Sequence, residues 1–284
     1  METCIIQRLT PHGVESVGYT AVSLADAADH EPREGVYTIT NTYETTKVLK
    51  FDAHMDRLVD SAARAGIALN VERGQIRAAL RAMIEAASFG GAHETPGDVR
   101  FRITVTAAAP DCAILSIEPF KPLPADLIAR GVRCVTVRGS VRDNPAAKTT
   151  DWMHDRTQIE KSLPSGIYTG LLLSEGSAIL EGLSSNFYAV VDGALYTADE
   201  GVLPGISRQI VYAVAPRVLE VCKTPVRVDD IPLVREAFIT SSSRGIVPVV
   251  EIDGRRIGDG LPGVKTMAIR HEYLGWMRDH LEEL

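Results

Sequence analysis

Apolar residues fall mostly in short alternating or continuous runs broken by Gly, Pro, Asn and Asp, and only a few stretches carry helical spacing. Residues 36–43 are rich in β-branched and aromatic side chains, which suit a pleated surface, and 48–51 supply a partner strand. The spacing of Leu58, Ala62 and Ala65 predicts a helix over 52–65, stopped by Gly66, and a second helix follows over 75–87. Residues 90–97 read as a loop, then 99–106 and 113–117 as strands around a connection at 107–111. Before Gly35 the pattern is thin: Cys4-Ile5-Ile6 opens a strand and 23–30 form a short helix.

Pro119, Pro122 and Pro124 interrupt the chain together, and proline neither donates to a ladder nor leaves its neighbours free. The expected division is therefore a small domain over 1–118, a linker over 119–125 and a large domain over 126–284. The large domain opens with a strand at 131–137 and a helix at 151–161, ended near Pro164. Glu175-Gly176, Asp192-Gly193 and Asp253-Gly254 each lie between apolar runs and predict three hairpins. A helix over 206–219 is kinked or ended by Pro216, and 265–281 form a terminal amphipathic helix. The fold class is α/β, with an α+β first part.

A chain of 284 residues holds one large domain or two modest ones with a sizeable core. Its net charge of -7 argues against a nucleic-acid partner, yet leaves room for a local basic pocket. Cys4, Cys112, Cys134 and Cys222 are far apart and form no CxxC pair. No metal site or disulfide framework is expected, and reduced thiols in a cytoplasm are the simpler reading. The first residues lack a signal-peptide pattern and no apolar run is long enough to span a bilayer, so no membrane partner is expected.

Four motifs carry chemistry. Asn144-Pro145-Ala146-Ala147-Lys148-Thr149-Thr150 puts a lysine after small residues and before a helix. Glu181-Gly182-Leu183-Ser184-Ser185-Asn186-Phe187 offers an acid and then small polar donors. Leu203-Pro204-Gly205-Ile206-Ser207-Arg208 opens a helix, and Phe238-Ile239-Thr240-Ser241-Ser242-Ser243 clusters hydroxyls. Singly, the first three have a plainer reading: a solvated lysine, a strand-end acid, a serine cap.

In this order they resemble the fold-type IV pyridoxal-phosphate enzymes: branched-chain aminotransferases, D-amino acid aminotransferases and aminodeoxychorismate lyases. The resemblance implies a smaller N-terminal α/β domain and a larger, β-barrel-like C-terminal one, with pyridoxal phosphate in the cleft of a homodimer. It implies Lys148 as the Schiff-base lysine that also carries the proton. Glu181 would face the pyridine nitrogen, with Ser185 and Asn186 close to the ring. Gly205, Ile206 and Ser207 would offer helix-terminal donors to the phosphate, joined by Ser242 and by Arg57 from the smaller domain.

The substrate side departs from the family. Arg33-Glu34-Gly35-Val36-Tyr37-Thr38 keeps an aromatic but has threonine where a glutamate is usual. The Thr-Arg-Gly pattern of the D-amino acid enzymes is absent from Val105-Thr106-Ala107-Ala108. Arg100 and Arg102 alternate onto one strand face instead and, with Tyr37, are the expected substrate contacts. The leading reading is a transaminase acting between an amino acid, D- or branched-chain, and a 2-oxo acid. A lyase on the same cofactor is the alternative. A catalytically silent binding protein would need neither Lys148 nor Glu181.

Overall fold

The computed structural model describes residues 4–87, 97–139 and 142–284, and the loop expected over 90–97 lies, apart from Gly97, outside them. The chain divides into two compact units. The first holds 1–121, 147–155 and 280–284, the second 122–146 and 156–279. Two segments expected in the large domain, one carrying Lys148, thus pack with the first unit.

In the first unit β1 (Ile5–Thr10), β2 (Gly13–Ser16), β3 (Gly35–Tyr43), β4 (Lys47–Leu49), β5 (Val99–Thr106) and β6 (Ala109–Pro119) are joined by α1 (Leu24–Asp29), α2 (Phe51–Arg64) and α3 (Arg73–Glu85). The second unit contains α4 (Ala125–Arg130), β7 (Val132–Val137), β8 (Thr169–Leu173), β9 (Ile179–Gly182), β10 (Ser185–Val191) and β11 (Ala194–Tyr196). After α6 (Ile206–Val214) come β12 (Glu220–Cys222), β13 (Glu236–Ser241), β14 (Gly245–Ile252), β15 (Arg255–Arg256) and α7 (Val264–Asp279). The helix α5 (Thr150–Ser162) lies between β7 and β8, and the chain ends in β16 (Leu281–Glu283).

The terminal helix is therefore shorter than its pattern predicts. Leu281 pairs with Leu49, the Glu282 carboxylate accepts from the Phe51 amide at 2.5 Å, and Leu284 joins the first unit's core. An edge far away in sequence captures the last residues, and no local periodicity announces it.

The first sheet runs β16-β4-β3-β5-β6-β1-β2, with every pairing antiparallel. Phe101, Ile103 and Val105 of β5 pack with Met55 and Leu58 of α2 and Ile76, Leu80 and Ile84 of α3. Arg102 and Thr104 alternate to the other face. There the Arg102 guanidinium pairs with Glu31 and donates to the Leu24 carbonyl at 2.6 Å, while Thr104 donates to Glu31 at 2.7 Å. Both charges are buried, so these contacts fasten the start of α1 and the residue just beyond its end to the sheet.

The second sheet closes on itself. β10, β13, β14, β7, β8 and β9 form a ring, because β9 pairs with β10. Closure removes the free edges that an open sheet must protect. The β14–β7 and β7–β8 pairings are parallel, and a parallel neighbour needs a long crossover such as the one containing α5. Phe187, Ile239, Val247, Leu171 and Cys134 fill the core of this unit. Asp192-Gly193 and Asp253-Gly254 take positive φ at both positions, 47° with 81° and 52° with 75°, as two-residue hairpins demand. Pro216 falls in a 3-10 turn, Ala215–Arg217, that ends α6. Among the described residues no helix is long and apolar enough to cross a membrane.

Glu31→Ala should be among the most destabilising single changes in the first unit. It strands Arg102 in a dry site, which costs about 3–5 kcal/mol. Urea unfolding of the variant measures this, and a loss under about 1 kcal/mol would show that water reaches the pair.

Candidate active site

In the first unit the site grows from the seam between β3, α2 and residues 147–149. Residues 54, 57, 58 and 61 recur at helical spacing and form the inward stripe of α2. Three of the four are polar, yet all are buried. Polar groups on a core face need partners or a ligand. Val36 bridges to Thr149, the Tyr37 amide donates to the Lys148 carbonyl at 3.0 Å, and the Lys148 amide donates to Ser61 Oγ at 3.0 Å. The Lys148 backbone is therefore held from both the strand and the helix. Its Nζ stands 4.5 Å from the centroid of the Tyr37 ring.

Arg57 is only 7% exposed and forms no ion pair among the described residues. Its Nη2 donates to Thr38 Oγ1 at 2.9 Å, and its buried Nε has no hydrogen-bond partner there. Burial pulls its pKa down to about 10. Thr38 Oγ1 lies 2.7 Å from His54 Nδ1. Since Arg57 donates to that hydroxyl, the hydroxyl hydrogen goes to Nδ1, which assigns a neutral His54 protonated at Nε2. Burial first, then Arg57, Lys148 and Lys50, hold the His54 pKa well below the ordinary histidine value. A buried guanidinium without a counter-charge, next to a neutral histidine and a lysine, is chemically suited to receive an anion.

In the second unit Glu181 and Asn186 face each other across β9 and β10. The Glu181 carboxylate accepts from Arg142 Nη1 at 2.6 Å and from the Leu203 amide at 3.1 Å. Asn186 Nδ2 donates to the Leu203 carbonyl at 2.9 Å, and a side chain at Gly205 would collide with the Asn186 amide. These contacts seat residues 203–205 against the two strands. Gly205 then caps α6 without a side-chain hydrogen bond, so the first-turn amides of Ile206 and Ser207 keep their donor capacity. Ser207 Oγ meets Tyr273 Oη at 2.9 Å, and Ser185 Oγ is buried without a partner among the described residues. Ser242 is half-buried in the β13–β14 turn. A cavity of about 290 Å³ is lined by Arg142, Pro145, Leu172, Leu180, Glu181 and Gly201.

The structure thus brings Tyr37, Arg57 and Lys148 together in the first unit, and Glu181, Asn186 and Gly205 in the second. In the second unit an orphaned hydroxyl and an uncapped helix start, and in the first an uncompensated arginine, are each chemically suited to a phosphate. Arg102, expected at the substrate, is buried and paired with Glu31. Arg100 lies 3.6 Å from Glu118, with its side chain 42% exposed. Sequence reasoning missed His54, Ser61, Tyr273 and Arg142. Helical spacing around Arg57 carries the signal for the first two. Arg142 and Tyr273 reach their partners from 39 and 66 residues away, beyond any local pattern.

Because His54 is neutral when folded, its protonation favours the unfolded chain. Its contribution to stability is complete above about pH 6.5 and is lost as pH falls below that value toward the depressed folded pKa. The cofactor-free protein should lose melting temperature from pH 7 to pH 5, and His54→Gln should flatten that slope. An equal slope in the variant would assign the pH dependence to other groups.

A profile of the family described as amino-transferase class IV matches residues 35–252. The D-alanine aminotransferase of Listeria monocytogenes serotype 4b is 26% identical over 260 residues, covering 84% of this chain and 85% of that protein. The branched-chain-amino-acid aminotransferase of Pseudomonas aeruginosa is 22% identical over 253 residues, at 84% and 82%. A solved branched-chain amino acid aminotransferase from T.th., with pyridoxamine 5'-phosphate, has a TM-score of 0.79 at 20% identity, covering 98% of both chains. The closed barrel and mixed α/β architecture are the fold of such structures. The lyase reading is not favoured, since these relatives are named aminotransferases. With the family profile spanning most of its length, the chain belongs to the class IV aminotransferases and is a transaminase.

Proposed function

We propose that Lys148, Arg57 and Glu181 serve one molecule of pyridoxal phosphate, and that the enzyme passes the amino group of a D- or branched-chain amino acid to a 2-oxo acid. The observation that carries this reading is the buried Arg57 without a carboxylate, on the same wall as Lys148. The bound cofactor supplies an aldehyde carbon and an electron-withdrawing ring. Every other part belongs to the chain. Lys148 Nζ takes and returns the proton, held in place by its backbone contacts to Tyr37 and Ser61. Glu181, braced by Arg142, accepts from the ring nitrogen, since a carboxylate with two hydrogen bonds retains lone pairs for a third. Asn186 and Gly205 keep that acid and the start of α6 in register. The first-turn amides of Ile206 and Ser207, the hydroxyls of Ser185 and Ser242, and Arg57 bind the phosphate. Tyr37 and Arg100 line the substrate side.

A homodimer is part of the proposal, supported by the family resemblance and by Leu261 and Val264, apolar yet 64% and 81% exposed in the single chain. A cytoplasmic location is supported by four unpaired cysteines. Sedimentation at micromolar concentration should give twice the chain mass, and an active monomer would refute the dimer.

The enzyme loaded with pyridoxal phosphate should show an absorbance band near the visible edge and transfer amino groups only when a 2-oxo acid is supplied. Lys148→Ala should abolish both the band and nearly all turnover while thermal unfolding stays close to wild type. Arg57→Ala should weaken pyridoxal phosphate binding about tenfold to a hundredfold, as loss of a charge-assisted hydrogen bond implies. Turnover retained in Lys148→Ala, or undiminished cofactor affinity in Arg57→Ala, would contradict the assignment.

A further inference from the structure

Arg244 occupies the turn between β13 and β14 and is half-buried. Its Nε donates to Ser241 Oγ at 2.7 Å and its Nη1 to Tyr168 Oη at 3.4 Å. Its Nη2 donates to the carbonyl and hydroxyl oxygens of Ser184, at 3.0 and 2.9 Å. All four acceptors are neutral. Among the described residues no carboxylate pairs with it, whereas Arg142 and Arg208 of the same unit are paired with Glu181 and Asp199. A guanidinium has five N–H donors. Four are accounted for, leaving one at Nη1, so this cation is fixed in place but not neutralised.

Its surroundings say where that charge acts. Asn186 pairs with Thr240, which brings the β9–β10 turn and the β13–β14 turn to the same end of the barrel. Ser184 precedes Ser185, whose Oγ is buried and unpartnered among the described residues. A Cβ on Gly245 would stand 3.6 Å from the Tyr273 ring, and Tyr273 holds Ser207. Arg244 thus lies in the same turn as Ser242 and bonds the neighbour of Ser185, both proposed for the phosphate, while Arg57 is the arginine assigned to that group. Arg102 is paired with Glu31 and Arg100 lies near Glu118, so Arg244 offers the substrate side a cation with no carboxylate beside it among the described residues.

We propose that Arg244 is a specificity-determining residue that receives a carboxylate of the amino acid and of its 2-oxo acid partner. The inference rests on the reading of Ser185, Ser207 and Ser242 as cofactor residues. A guanidinium pinned by neutral oxygens is pre-oriented and keeps its full charge for a carboxylate. The Ser184 hydroxyl and the Tyr168 phenol give the rim of this subsite further polar contacts. The carboxylate is either the α-carboxylate common to every substrate or a second one on an acidic side chain.

The test compares wild type, R244Q and R244K as cofactor-loaded enzymes. KM and kcat are measured for the amino acid, and titration calorimetry gives the Kd of 4-methylvaleric acid, with one carboxylate, and of glutaric acid, with two. R244Q should raise KM about tenfold or more with kcat within about threefold, and R244K should recover part of the loss. Weakening of both acids identifies the α-carboxylate, and weakening of glutaric acid alone identifies a side-chain carboxylate. Unchanged Kd for both acids in R244Q overturns the proposal. So does a loss of pyridoxal phosphate affinity with KM unchanged, which would assign Arg244 to the phosphate. If R244Q fails to fold, R244K decides: a KM rise with unaltered melting temperature supports the subsite, and wild-type kinetics overturn it. Failure here leaves cofactor attachment at Lys148 untouched, so it is distinguishable from failure of the functional reading.

Discussion

An arginine buried without an acid is the constraint on which the first unit's chemistry depends. Removing a guanidinium from water costs several kcal/mol, which a protein recovers through a carboxylate or a bound anion. Arg57 has a threonine and a neutral histidine instead. Neither offsets the charge, and the buried Nε has no partner among the described residues. The cost is bearable only because α2 is anchored by Phe51, Met55, Leu58 and Ala62 in the core. Apolar packing thus holds in place a charge that the proposed function gives to a ligand. The Arg102–Glu31 pair is the contrasting case, where the charge has its acid and serves structure.

The second unit handles polarity differently. Its acid, Glu181, is held by Arg142 on one oxygen and by the Leu203 amide on the other, which fixes its orientation while leaving lone pairs for a further donor. One carboxylate therefore ties together a barrel strand, a loop arginine and the segment leading into α6. Disturbing Arg142 would alter both the electronics at Glu181 and the seating of residues 203–205. The closed ring of strands gives these contacts a rigid base, as sites on strands are positioned better than sites on free loops.

Much of this was legible in the chain. The two Asp-Gly hairpins, the helix of 52–65 and the strand around Tyr37 are local features written in propensity and turn chemistry. The order of lysine, acid, helix start and hydroxyl cluster pointed to the family that the profile then established. Long-range choices were not legible. Leu281, expected to end the terminal helix, pairs instead with β4, because an unpaired sheet edge outweighs weak helix propensity. Lys148 lies downstream of the proline-rich segment but is grouped with the first unit, through bonds to Tyr37 and Ser61 that no sequence period encodes. Arg100 and Arg102 do share a strand face as alternation requires, yet only the folded chain reveals that Glu31 has claimed one of them.

Everything proposed about the reaction turns on which lysine holds the cofactor. Lys148 is half-buried, its backbone bonded on both sides and its ammonium over an aromatic ring, whereas Lys161 is exposed at the end of α5. The direct measurement is borohydride reduction of the enzyme loaded with pyridoxal phosphate, followed by digestion and peptide mass analysis. The pyridoxyl label should appear on Lys148. A label on Lys161, or no label on any lysine, would contradict the account.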